Sequence, residues 1–106
     1  MARNLIWLSF DLGIQGDYES LYAWLDSHKA KECGDNVASL WYEHEGDIVE
    51  ALQADLKENV QLTRKSRFYV ISNVDGLKGS FVLGNRKSAP WAGFSGSEVG
   101  EDTDRA

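Results

Sequence analysis

Two stretches of this chain carry the same signature: a run whose apolar residues alternate, followed by a segment whose apolar residues recur every three or four positions behind an aspartate. The first is NLIWLSFDL at residues 4 to 12, which passes through two glycines to Asp17 and the segment DYESLYAWLDS. The second is VASLWYE at 37 to 43, followed by Asp47 and DIVEALQADLKENV. Period two predicts a strand and period 3.6 a helix. Alternation places Ile6, Leu8 and Phe10 on one face of the first strand and Leu5, Trp7, Ser9 and Asp11 on the other. Both faces are partly apolar, which marks a central strand. In the second strand Ala38, Leu40 and Tyr42 share a face opposite Ser39, Trp41 and Glu43.

The helix starts have a physical basis in their aspartates, whose carboxylates satisfy backbone N–H groups that have no partner within the first turn. Asp17 heads a stripe of Tyr18, Leu21, Tyr22 and Leu25, and Trp24 off that stripe predicts a second contact surface. Asp47 and Glu50 form an Asp variant of the capping box, ahead of Ile48, Ala51 or Leu52, Leu56 and Val60. Between these units AKECGDN, at 30 to 36, reads as a weak strand or loop. SRFYVISNV is a further strand stopped by Asp75-Gly76, and GSFVLG at 79 to 84 is a final one. From NRKSAPWAGF onward the pattern supports no regular element, and residues 95–106 read as a disordered acidic tail.

Strand, helix, strand or hairpin, helix, strand, strand is an α+β order. Two helices cannot cover both faces of a four- to five-stranded sheet, so both are expected on one face, a ferredoxin-like sandwich formed as a single domain by residues 1–94. The open face would then carry Trp7, Ser9, Asp11, Ser39, Trp41 and Glu43. A homodimer through that face or through the last strand is the simplest cover.

Composition narrows the class. The chain has 106 residues, 42% of them hydrophobic, and no apolar run approaches the roughly 18 residues of a membrane helix, so no membrane partner is expected. The N-terminal run lacks a small-residue cleavage site, and Cys33 has no second cysteine to pair with, which together predict a cytoplasmic protein. The net charge of −6 is unevenly spread. Residues 1–59 hold 4 Lys/Arg against 12 Asp/Glu, residues 60–94 hold 6 against 1, and residues 95–106 hold 1 against 4. A basic segment is embedded in an acidic chain.

A hydrophobic first strand ending in Phe10-Asp11, a short loop, a helix beginning at DYESLY, a middle strand, a second capped helix and the RFYVIS strand together resemble the CRISPR-associated protein 2 superfamily. That superfamily includes small nucleases and toxin–antitoxin relatives. The resemblance covers about residues 4 to 73. It implies a homodimer whose first-strand aspartates lie near the dimer axis and, in active members, hold a divalent metal for phosphodiester cleavage. Carried over, the metal position falls on Asp11, with Mg²⁺ the expected ion, and Ser9 points the same way and could contact a phosphate. One departure is plain: the first helix carries acids and no Lys or Arg where nucleic-acid-binding members are expected to have them. The competing reading of Asp11 is that it caps the turn DLGIQG.

Other constellations are thinner. His28 and His44 lack ligand spacing with Cys33 and are expected to be exposed at element ends. The glycines form no phosphate-loop spacing, and no serine has a local His and Asp. What remains is Arg64, Lys65 and Arg67, then Lys78, then Arg86 and Lys87 beside Trp91 and Phe94. Cations interleaved with aromatics suit the phosphates and stacked bases of RNA or DNA. The competing reading packs Trp91 and Phe94, like Trp7 and Trp41, into a protein interface. Three functions therefore stay open: nucleic-acid binding, a non-catalytic antitoxin-like module with a protein partner, and a nuclease using Asp11.

Overall fold

The computed structural model describes residues 1–96, and the acidic stretch beyond Gly96 lies outside the described residues. Seven elements follow in the order β1 (Ala2–Asp11), α1 (Tyr18–Ser27), β2 (Lys31–Gly34), β3 (Val37–His44), α2 (Ile48–Asn59), β4 (Arg67–Asn73) and β5 (Leu77–Leu83). The strands make one five-stranded sheet in the order β2-β3-β1-β4-β5, antiparallel throughout. Strand β1 is central, as its two apolar faces require. The α+β ferredoxin-like architecture follows, with β5 added as an edge strand beside β4.

Register decides which residues share a face. Ile6 faces Leu40, Leu8 faces Ala38 and Val70, and Phe10 faces Phe68. All of these are buried, together with Leu21, Leu25, Leu52 and Leu56 from the two helices. The opposite face pairs Leu5 with Trp41, Trp7 with Ser39 and Ile71, and Asp11 with Arg67. Trp41 and Ile71 are exposed there, so this side of the sheet carries no helix. Both caps form as expected: Asp17 accepts the Ser20 N–H at 3.1 Å and Asp47 accepts the Glu50 N–H at 3.0 Å. The turn between β4 and β5 places Asp75 and Gly76 at φ +60° and +103°, the backbone region expected of Asp-Gly.

Three expectations need correcting. Trp24 is not on a second surface: it is 5% exposed and belongs to the core, whereas Tyr22 is 53% exposed. Leu21, Trp24 and Leu25 also satisfy i, i+3, i+4, and α1 is rotated to bury that stripe, with the Trp24 ring 6.1 Å from that of Tyr42. His44 is buried, because β3 runs one residue further than expected and its alternation carries position 44 to the helix side. The His44 ring stacks on Tyr42, with Nδ1 3.1 Å from the Gly46 carbonyl oxygen and Nε2 2.8 Å from the Asn4 side chain. His28 is half-buried against Trp24 rather than exposed. Segment 31–34 is a true edge strand with a bulge, paired to β3 and exposed along its length.

Candidate nucleic-acid interface

Strands β1 and β5 end at the edge of the sheet where β4 begins, so three connections distant in sequence meet there. These are residues 12–17 after β1, residues 60–66 before β4, and the segment after β5. Asp17 ties two of them together, since its second carboxylate oxygen accepts the Gln61 N–H at 2.9 Å while the first caps α1. These hydrogen bonds hold the Asp17 carboxyl below its usual range.

The basic residues are presented by two of these connections. In the first, the Thr63 N–H donates to Ser66 Oγ at 2.9 Å, the Ser66 N–H donates back to the Thr63 carbonyl at 3.1 Å, and Ser66 is buried. Arg64 and Lys65 stand exposed at its tip. The second begins at Gly84, which has φ +68° and lies so close to the first that a Cβ would meet the Ser66 carbonyl oxygen at 2.3 Å. Only glycine combines that backbone with that approach. It brings Asn85 and Arg86 alongside the first turn.

The result is a groove of about 970 Å³ whose lining includes Thr63, Arg64, Lys65, Arg67, Asn85 and Arg86, with Asp11 the one carboxylate in the wall. Arg64, Lys65 and Arg86 make no salt bridge among the described residues. Joined to the groove through Asp11, Arg67 and Arg86 is a cleft of about 490 Å³ on the open face of the sheet. Its walls are Ser9, Tyr69 and Phe81 from the strands and Ala89, Pro90 and Trp91 from the C-terminal segment. Tyr69 and Phe81 meet edge to face at 5.0 Å.

Asp11 stands on the seam between the two. One carboxylate oxygen accepts the Gly13 N–H at 3.0 Å and the other is ion-paired with Arg67, its cross-strand partner. The Gly13 hydrogen bond, the Arg67 hydrogen bond and the charges of Arg67 and Arg86 hold the Asp11 carboxyl below its usual range. These contacts fit the turn-capping role. They do not fit a resident Mg²⁺ in one chain, because that ion takes an oxygen-rich set and this carboxylate already serves a guanidinium. No group of three His, Cys, Asp or Glu gathers at one point among the described residues.

The remaining expected residues separate. Ser9 lies in the cleft and is exposed, beside Asp11 on the open face. Lys78 pairs with Ser72 toward the far end of β5, well away from the groove, and Lys87 lines neither cavity. Trp7 and Trp41 sit on the open face, Trp41 49% exposed with the Arg3 guanidinium 4.7 Å above its ring. Trp91 is 75% exposed at the cleft mouth, and Phe94 is 86% exposed outside it. Sequence reading missed Tyr69, Phe81 and Asn85. The alternation of RFYVIS and GSFVLG placed Tyr69 and Phe81 away from the core, and that was the available signal.

Comparison of the chain with protein-family models, curated proteins and solved structures found no match in any of the three. No helix among the described residues is long and apolar enough to cross a membrane.

Proposed function

We propose that this chain is a small nucleic-acid-associated protein that binds phosphates of RNA or DNA at the end of its sheet. One observation carries the reading: Arg64, Lys65 and Arg86, brought from two distant connections, line one groove with no salt bridge among the described residues, in a protein of net charge −6. Cations gathered at one place in an acidic chain act on a phosphate backbone while the acidic helices keep it off the other surfaces. Binding through backbone phosphates releases counterions, so affinity falls steeply with salt. Fluorescence anisotropy of a labelled oligonucleotide at about 50 and about 200 mM salt tests this, and absence of binding at the lower concentration refutes it.

The uncovered sheet face favours a homodimer as the working form. Leu5, Trp7, Trp41 and Ile71 lie together on that face, and a second copy is an economical cover for them. The same surface supports the second reading, a non-catalytic antitoxin-like module that docks a protein partner. Both readings predict a stable dimer in sedimentation, and the oligonucleotide titration separates them, since the module predicts dimerisation without nucleic-acid affinity. Cleavage at Asp11 is the least supported role, because its carboxylate is committed to Arg67 and Gly13. The likeness to the CRISPR-associated protein 2 superfamily supports a phosphodiester ligand more than it supports a metal at this position.

A further inference from the structure

We propose that the ligand is single-stranded and that one of its bases is taken into the cleft between Phe81 and Trp91; this inference rests on the phosphate-binding reading of the adjoining groove. The cleft, about 490 Å³, lies within the range of small-ligand sites, with the sheet as one wall and the Ala89–Trp91 segment as the other. Its surfaces are those a base requires. Phe81, Tyr69 and Trp91 supply aromatic surface for stacking, and Ser9 supplies a hydroxyl that donates or accepts toward a base edge.

Position joins this cleft to the phosphate site. Arg67 and Arg86 line both cavities, so a strand whose backbone lies on Arg64, Lys65 and Arg86 passes beside the cleft mouth. In a duplex the base at that point is paired and stacked and cannot enter, whereas a single strand turns it outward at small cost. The aromatic walls are also preformed. Gly79 lacks the Cβ that would meet Tyr69 Oη at 2.3 Å, so the Tyr69 ring rests over that position, and its edge contact with Phe81 holds both rings in place. Trp91 is carried by successive turns in which the Ala92 N–H donates to the Ala89 carbonyl at 3.0 Å and the Phe94 N–H to that of Trp91 at 3.1 Å. A large aromatic left 75% exposed at the mouth of a cationic cleft is available to stack on an incoming base.

The test uses the full chain and three labelled probes of equal length: a single strand, the same strand with abasic sites, and a duplex. The wild-type chain should bind the single strand about tenfold more tightly than the abasic strand, the order expected of one stacked base. Trp91→Ala and Phe81→Ala should bring the two affinities within about twofold while leaving that for the abasic strand unchanged. Equal wild-type affinity for intact and abasic strands, with binding still salt-dependent, overturns the base cleft and leaves the phosphate groove standing. Failure of all three probes to bind at low salt overturns both.

Discussion

Replacing Asp11 by Asn distinguishes a carboxylate that caps a turn and restrains Arg67 from one that serves a nuclease. The variant keeps an amide oxygen that accepts the Gly13 N–H, so the turn after β1 survives, and it removes the negative partner of Arg67. The ion-paired side chains are 22% exposed for Arg67 and 45% for Asp11, and pairs that open to solvent contribute about 1 kcal/mol or less. In a domain of this size that lowers the melting temperature by about 4–8 °C at most. Binding should move the other way. The groove loses its one carboxylate and frees a fourth guanidinium or ammonium. One charge about 6 Å from a phosphate in a water-like dielectric is worth about 0.7 kcal/mol, which is about a threefold gain. One further phosphate neutralised adds about 0.7 to the steepness of the log affinity against log salt plot for a single strand. Anisotropy with metal chelated reads both quantities. Weaker binding by Asp11→Asn with its fold intact would refute the assignment of Asp11 as a turn cap that restrains Arg67, and a loss of Mg²⁺-dependent cleavage would establish the nuclease reading in its place.

Other expected outcomes follow from the same geometry. Gly84→Ala should destabilise the chain by about 1–3 kcal/mol in urea titration and weaken oligonucleotide binding, because its Cβ meets the Ser66 carbonyl. Gly46→Ala, also at positive φ but with nothing near its Cβ, should cost less and leave binding unchanged. The Asp17 carboxyl is held below its ordinary value, so its contribution to stability is present above the usual carboxylate range and is lost as pH falls through the lower native value. Asp17→Asn should therefore flatten the fall of melting temperature as the pH is lowered through and below the usual carboxylate range. Residues 97–106 carry four acids and one Arg, and removing them should tighten binding at low salt by lowering the repulsion of phosphates.

The elements were legible where one periodicity dominated. Asp17 and Asp47 marked their helices, and Ile6, Leu8 and Phe10 fixed the buried face of β1 without help from the rest of the chain. The rotation of α1 was not legible, because Tyr18, Leu21, Tyr22, Leu25 and Leu21, Trp24, Leu25 both fit helical spacing. Packing of Trp24 against Tyr42 and His28 decided between them. At the site, the clustering of cations at 64–67 and 86–87 was visible as composition, but their meeting depends on the close approach of Gly84 to Ser66. The separation of Lys78 depends on strand register. Asp11 and Arg67 are 56 positions apart, and only the β1–β4 register makes them neighbours.

The most direct test of phosphate binding at the loop end of the sheet is a map of where an oligonucleotide touches the protein. Titration of the isotopically labelled chain with a short single strand, followed by amide chemical shifts, should perturb residues 63–67 and 84–87 first and most, with Ser9 and Phe81 next. Perturbation confined to Trp7, Trp41 and Ile71, or to the helices, would contradict the assignment of that end as the phosphate-binding surface.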